Sequence, residues 1–185
     1  MANRTSVQAF QAELARKLAA ATTTGVSADW LGVSWRGVRG LLPLAQAGEI
    51  VQPMALQRLP HTQPWVQGVA SVRGGLTLVA DWVAFLNLPG ARPHDQPDPD
   101  ATPYWISLNP ASGLSAALCV DRLMGLRTAA ELGAPDPNWV PRAGVRQVLR
   151  DVDGAVWYDI DMVALAQMPA FLDPRQAAFA SPTPF

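Results

Sequence analysis

One cysteine and two histidines are all the thiol and imidazole this 185-residue chain carries. The lone Cys119 cannot close an intrachain disulfide, which agrees with a reducing compartment, and its place in the apolar run LSAALCV marks a small buried hydrophobe rather than a reactive thiol. His61, in LPHTQPW, and His94, in a Pro/Asp-rich stretch, lack the spacing of metal ligands, so surface or turn roles suit them better and no metal or cofactor is expected. Charge is also scarce, at 16% of residues. With 14 basic against 15 acidic residues the formal net charge is -1, which excludes an overall basic field for nucleic acid or an anionic membrane surface. Long apolar runs are missing as well. LTLVADWVAFLNL is interrupted by Asp81 and falls short of the ~20 residues a bilayer span needs, and no charged segment followed by an apolar one opens the chain. A soluble cytoplasmic protein without membrane insertion is the expectation. Nucleophile elbows, phosphate-cradling glycine loops and zinc motifs are absent too, so no enzyme class is indicated.

What is present is apolar residues, 49% of the chain, in short runs cut by turns, which suits one globular domain or two small subdomains sharing a core. The first segment is different. Thr5 and Gln8 have capping-box spacing, and Val7, Phe10, Leu14 and Leu18 recur at three and four, which predicts an amphipathic N-terminal helix ending near TTTG. Only Arg16 and Lys17 are basic there, so packing on a protein surface suits the stripe better than a membrane.

From Trp30 to Asp81 the runs WLGVSW, GLLPLA, GEIVQP, GVASVR and LTLVAD read as strands. A second set follows in YWISL, LSAALCV, RLMGLRT, GVRQVLRDV and AVWYDI. Between the sets, residues 89–103 hold five prolines and three aspartates and nothing periodic, a loop or linker. DVDG predicts a hairpin turn, and APDPNWVP a second irregular loop. Met162, Leu165, Met168 and Leu172 have helical spacing, with Pro169 set to end or kink that helix. Ten short strands with no intervening helices predict a mainly β fold of two small barrels or a sandwich, one on either side of the Pro/Asp break.

Chemistry is thin. Asp159 and Asp161 could form a carboxylate pair, although a strand-to-helix junction wants the same residues as caps. Asp151 and Asp153 lie in a turn signal without the further ligands of a calcium loop. Arg142, Arg146 and Arg150, at four-residue spacing, form the one row that could serve a nucleic-acid- or ligand-binding barrel. More telling is Arg73, the one basic residue in the nearly all apolar or small WVQGVASVRGGLTLVADW. With Gly74-Gly75 as a two-residue turn, Arg73 opposes Leu76 and Val72 opposes Thr77. Val69, Ser71, Arg73, Leu76, Leu78 and Ala80 then share one face, and Ala70, Val72, Thr77 and Val79 the other; both faces are semi-apolar and expected to be covered.

Glu49-Ile50, Pro60, Trp65-Val66, Gly68-Val69, Val72-Arg73-Gly74 and Val79-Ala80-Asp81 stand in the order and near the spacing of the CheW family of chemotaxis coupling proteins, which this chain resembles from about Trp30 to Phe171. Later, AALCVDRLMGLRT is similar to the family's second conserved segment and DIDMVALAQMPAFL to its closing helix. Within the family the likeness is greatest to the PilI-type proteins of type IV pilus twitching systems. The resemblance implies two five-stranded SH3-like barrels in residues 29–172; it leaves out the Pro/Asp loop and the first thirty residues, so the helix and linker of 1–28 and an expected flexible tail of 173–185 stand outside it. It implies no active site and no cofactor. Its partners would be the regulatory domain of a CheA-type histidine kinase and the cytoplasmic tip of a methyl-accepting receptor, placing the chain at inner-membrane receptor complexes. The interface residues would be Arg73, Glu49, Ile50, Gly68 and Ser71. Two positions depart from the pattern: the asparagine before the family's Leu-Arg-Gly is Ser71, and Ala47 replaces a larger apolar residue.

Overall fold

A computed structural model describes residues 28–94, 96 and 98–175. The expected N-terminal helix lies outside them. Ten strands form where the short apolar runs placed them: β1 (Trp30–Trp35), β2 (Val38–Pro43), β3 (Ala47–Val51), β4 (Val66–Val72), β5 (Gly75–Ala80), β6 (Tyr104–Leu108), β7 (Ala116–Val120), β8 (Arg122–Arg127), β9 (Val145–Arg150) and β10 (Val156–Ile160). Helix α1 (Trp82–Phe85) follows β5, and α2 (Met162–Gln167) and α3 (Pro169–Leu172) follow β10. The protein is mainly β.

The strands divide into two five-stranded sheets, β8-β1-β2-β10-β9 and β3-β6-β7-β5-β4. This corrects the expectation that the Pro/Asp loop separates the two strand sets. That loop joins α1 to β6 inside the second sheet's own sequence, whereas the first sheet is assembled from both ends of the domain. Turn signals reveal where strands stop but carry no information on distant partners. The decisive pairing is a parallel one, Tyr158 beside Gly40 and Asp159 beside Leu41, matched in the other sheet by Leu78 beside Ala116 and Val79 beside Ala117.

Both sheets contribute to one core, with Val33, Leu42 and Ile160 from the first and Ile106, Leu118 and Val120 from the second. The helices close it. Trp65, Phe85 and Phe171 meet with ring centroids 4.9 to 5.1 Å apart, two edge-on contacts and one stack, a geometry aromatic rings favour. Trp82 is fully buried and donates its indole N–H to the Cys119 carbonyl at 2.9 Å. Cys119 is itself buried, and the desolvation of its thiolate raises the thiol pKa far above the usual range. Pro169 does break the closing helix, standing at the start of α3. The break rotates the chain, so Phe171 is buried and Leu172 is left 56% exposed, contrary to the uninterrupted spacing.

Each sheet hands over to its helix in the same way. Asp81 caps α1, accepting from the Ala84 N–H at 2.8 Å, and Asp161 caps α2, accepting from the Ala164 N–H at 3.0 Å. Asp159 is not a cap. Buried in β10, it accepts from the Trp30 indole and the Gln147 amide, both at 3.1 Å, so the two carboxylates form no pair. Asp151 holds its turn, accepting from the Ala155 and Asp153 N–H groups. The Trp157 indole, the strongest of its donors, helps keep its carboxyl below the usual range.

The Pro/Asp loop is pinned by charge. Arg92 pairs with Asp98 at 2.9 Å, and Arg122 at the start of β8 reaches both oxygens of Asp98 and, at 3.4 Å, Asp100. Arg122, then Arg92, holds the Asp98 carboxyl down to about 2. A carboxyl depressed on folding contributes stability above its unfolded value near 4, and that contribution is lost as pH falls through the folded value. The stability difference between the parent and Asp98→Asn should therefore be full at pH 6 and vanish between about pH 4 and pH 2, read from paired thermal melts. Equal melting temperatures at pH 6 would show the loop to be unanchored by Asp98.

Candidate interaction site

Arg73 occupies a turn, not a strand. Arg73 (φ 50°) and Gly74 (φ 82°) are the two central residues of the β4–β5 hairpin, both left-handed as a type I′ turn demands. The pairing is Val72 with Gly75, Ser71 with Leu76 and Ala70 with Thr77, which corrects the register read from Gly74-Gly75. Because the correction moves each partner by two, the strand residues keep the faces assigned to them. The face of Ala70, Thr77 and Val79 is buried, and the other is covered away from the turn, where Ala80 is buried and Leu78 packs on the core, but open near it, where Ser71 is exposed and Leu76 is 73% exposed.

The turn carries Arg73 to Glu49, Nη2 to Oε2 at 2.9 Å. Glu49 gets there through a bulge: β3 loses register against β6 between Ala47 and Ile50, with Ser107 bridging the irregularity. The Ser107 hydroxyl accepts from the Glu49 N–H at 2.7 Å and donates to the Glu49 carbonyl at 3.3 Å. The ion pair is solvent-exposed, 77% at Arg73 and 48% at Glu49, so it contributes at most about 1 kcal/mol to folding. Ile50 beside it is half exposed.

Gly68 differs from the other four expected interface residues. It is buried, with φ 145°, and a Cβ there would lie 2.4 Å from the Gln57 carbonyl oxygen. Its position lets the β3–β4 connection lie against β4, where Gln57 and Val69 exchange two backbone hydrogen bonds of 2.8 Å each. That connection supplies what sequence reading missed, an apolar trough of about 730 Å³ between Leu56, Leu59, Val69 and Leu76, with exposed Met54 in the same segment. The signal lay in MALQRL, apolar residues without strand or helix period.

The other candidates are occupied. Arg146 pairs with Asp161 at 3.4 Å, Arg150 with Asp136 at 3.6 Å, and Arg142 lies over the Trp139 ring at 5.0 Å, so the arginine row presents no free basic stripe. His61 is exposed in a turn. His94 contacts Asp81 at 3.1 Å, and no group of three or more His, Cys, Asp or Glu among the described residues could hold a metal. Among the described residues no helix is long and apolar enough to cross a membrane.

The profile of the CheW-like domain matches residues 29–170, most of the chain. The chain belongs to the CheW-like family. Over 60 residues it is 35% identical to Protein PilI of Pseudomonas aeruginosa, a stretch covering 31% of this chain and 34% of that protein, so the match spans about a third of the relative's length. The crystal structure of the scaffolding protein TtCheW from Thermoanaerobacter tengcongensis superposes with a TM-score of 0.55 at 18% identity, covering 71% of this chain and 87% of that one, which establishes a shared fold. The CheW-like family is one of scaffolds and coupling adaptors between receptors and CheA-type kinases, and the paired sheets described above are its architecture here.

Proposed function

We propose that this protein is a non-enzymatic adaptor that couples the cytoplasmic tip of a methyl-accepting receptor to the regulatory domain of a CheA-type histidine kinase, in a pathway controlling type IV pilus twitching. The carrying observation is the exposed Glu49–Arg73 pair beside a half-exposed Ile50 and the apolar trough along β4. A contact surface with aliphatic area to bury and a fixed charge to set orientation suits a protein partner. Ser71, Ile50, Glu49 and Arg73 form the contacting surface, and Gly68 acts by holding the trough wall in place. The short likeness to PilI supports the pilus pathway.

Titration calorimetry against the kinase regulatory domain and then the receptor tip tests this reading. Arg73→Ala should weaken receptor binding at least tenfold, leave kinase binding intact and shift folding stability by less than about 1 kcal/mol. Large destabilisation with unchanged affinity in the folded fraction would make Arg73 structural, and binding to neither partner would overturn the adaptor assignment.

Ser107 should matter without touching a partner. Ser107→Ala removes the hydroxyl that bridges the β3 bulge and should lower receptor affinity severalfold, and Ser107→Thr should restore it. Retained affinity in the alanine variant would show that the bulge holds Glu49 unaided.

A further inference from the structure

In a regular strand two leucines three residues apart point to opposite faces, yet Leu123 and Leu126 of β8 share one. A bulge makes the difference. Leu126 pairs with Leu31 of β1 and Leu123 with Val33, so the register slips by one residue across Met124 and Gly125, and Gly125 takes the left-handed φ of 84° that glycine tolerates. Residues directly opposed across two strands face the same way, and Leu31 and Val33 lie in the common core, so both leucines look toward the core side of the first sheet. Met124 looks the other way, packing on the cluster of Leu41 and Trp157. But β8 is an outermost strand of its sheet, and the core stops short of it: Leu126 is 55% exposed, and Leu123 is exposed as well.

The chain enters the domain at this same margin. The Asp29 N–H donates to the Arg127 carbonyl at 3.0 Å and the Asp29 carbonyl accepts from the Leu44 N–H at 3.0 Å, so a third exposed leucine, Leu44, stands on the other side of the entry point. The residues ahead of it carry the one apolar pattern the fold has not used, Val7, Phe10, Leu14 and Leu18 on a single helical face. Such a helix spans ~16 Å from Val7 to Leu18, a length that is marginal in water unless its apolar face is buried. Nine residues, 19–27, separate Leu18 from Ala28. At ~3.4 Å each they reach about 30 Å, against the ~13 Å that β8 takes from Arg127 to Leu123. The stripe can therefore fold back on this margin. A tether so short sets an effective concentration on the order of millimolar, which a second copy at micromolar concentration does not match.

We infer that residues 5–18 dock as a helix on their own domain, laying Val7, Phe10, Leu14 and Leu18 over Leu44, Leu123 and Leu126 and extending the core past the edge of β8. This patch belongs to the first sheet, whereas Glu49, Arg73 and the apolar trough belong to the second. The inference is therefore independent of the receptor and kinase assignment, and its test needs neither protein.

The experiment is paramagnetic relaxation in the full chain, with a nitroxide tag on Ala12→Cys, a position that falls on the side of the helix away from the stripe. Cys119 is the chain's only cysteine and is buried, so the parent protein treated with the same reagent is the untagged control. The tag should attenuate severalfold the nitrogen-15 amide signals of Leu44, Leu123 and Leu126. Adding Leu14→Asp, or Leu126→Asp at the exposed leucine, should restore them. In a mixture of tagged nitrogen-14 chains with untagged nitrogen-15 chains the signals should stay at full strength. Four results would overturn the inference. Signals untouched by the tag would leave the stripe without a seat on the domain, and attenuation that survives Leu14→Asp would reflect the tether alone. Attenuation in the mixed sample would make a second copy the occupant, and attenuation centred on Leu56, Leu59 and Leu76 would seat the stripe on the trough.

Discussion

Asp81→Ala should cost about 4 kcal/mol of folding stability, the largest loss expected from any single charge among the described residues. Asp81 has no exposed side-chain surface, yet it serves three segments at once. Its Oδ1 caps α1 through the Ala84 N–H. Its Oδ2 accepts from Arg36 Nη1 at 2.9 Å and contacts His94 Nε2 at 3.1 Å. Arg36 belongs to the β1–β2 turn of the first sheet, Asp81 directly follows β5 of the second, and His94 comes from the Pro/Asp loop, so one carboxylate ties the two sheets and the loop together. Losing the cap costs about 1 kcal/mol, and removing one member of a buried pair costs about 3 to 5 kcal/mol because the other charge is stranded.

Arg36 would be that stranded charge. Its side chain is 17% exposed, its turn is the left-handed pair Arg36 and Gly37, and its Nε is committed to the Arg92 carbonyl at 2.6 Å. Asp121, the next carboxylate, is already engaged by the Ser34 hydroxyl and the Arg36 backbone N–H. The loss should appear as a melting temperature roughly 10 °C lower. Asp81→Asn, which keeps an oxygen for the cap, should recover about a third of it. A drop under 1 kcal/mol in the alanine variant would show that the sheets are held together without this contact.

The opposite holds for what could be read beforehand. All ten strands were legible because each is a short apolar run closed by its own turn, and Asp161 as a cap was legible because capping is a contact with the next few residues. Sheet membership was not, since Gly40 beside Tyr158 is a pairing across most of the domain that neither run announces. Arg73 shows the limit at shorter range. Two glycines follow it, either placement of a two-residue turn was sterically open, and the arginine itself took the left-handed position. The likeness to the CheW family picked out Glu49 and Arg73, but not that they touch, and it grouped Gly68 with contact residues when its position is buried. Residues 52–64 had no period to read, so the trough emerged only when β4 gave it a wall.

Gly68→Ala turns that last point into a measurement. At φ 145° an L-residue is strained by about 1 to 3 kcal/mol, and the new Cβ would stand 2.4 Å from the Gln57 oxygen and 2.9 Å from its carbon, closer than real contacts allow. Both of these atoms are backbone, so no side-chain rotation relieves the clash. Either the connection moves off β4 and the two Gln57–Val69 hydrogen bonds are lost, at about 1 kcal/mol each, or the strand bends at its bulge between Val66 and Gly68. Both routes predict a loss of about 3 kcal/mol in urea denaturation, with hydrogen exchange at the Gln57 and Val69 amides at least a hundredfold faster. Partner affinity should fall with it, because Leu56 and Leu59 leave the trough. Arg73→Ala is the counterpart, weakening binding with the fold and both amides undisturbed, so the pair of variants separates the wall of the site from the charge on its rim. A Gly68→Ala protein as stable as its parent, with both amides still protected, would mean that the connection can shift without leaving β4.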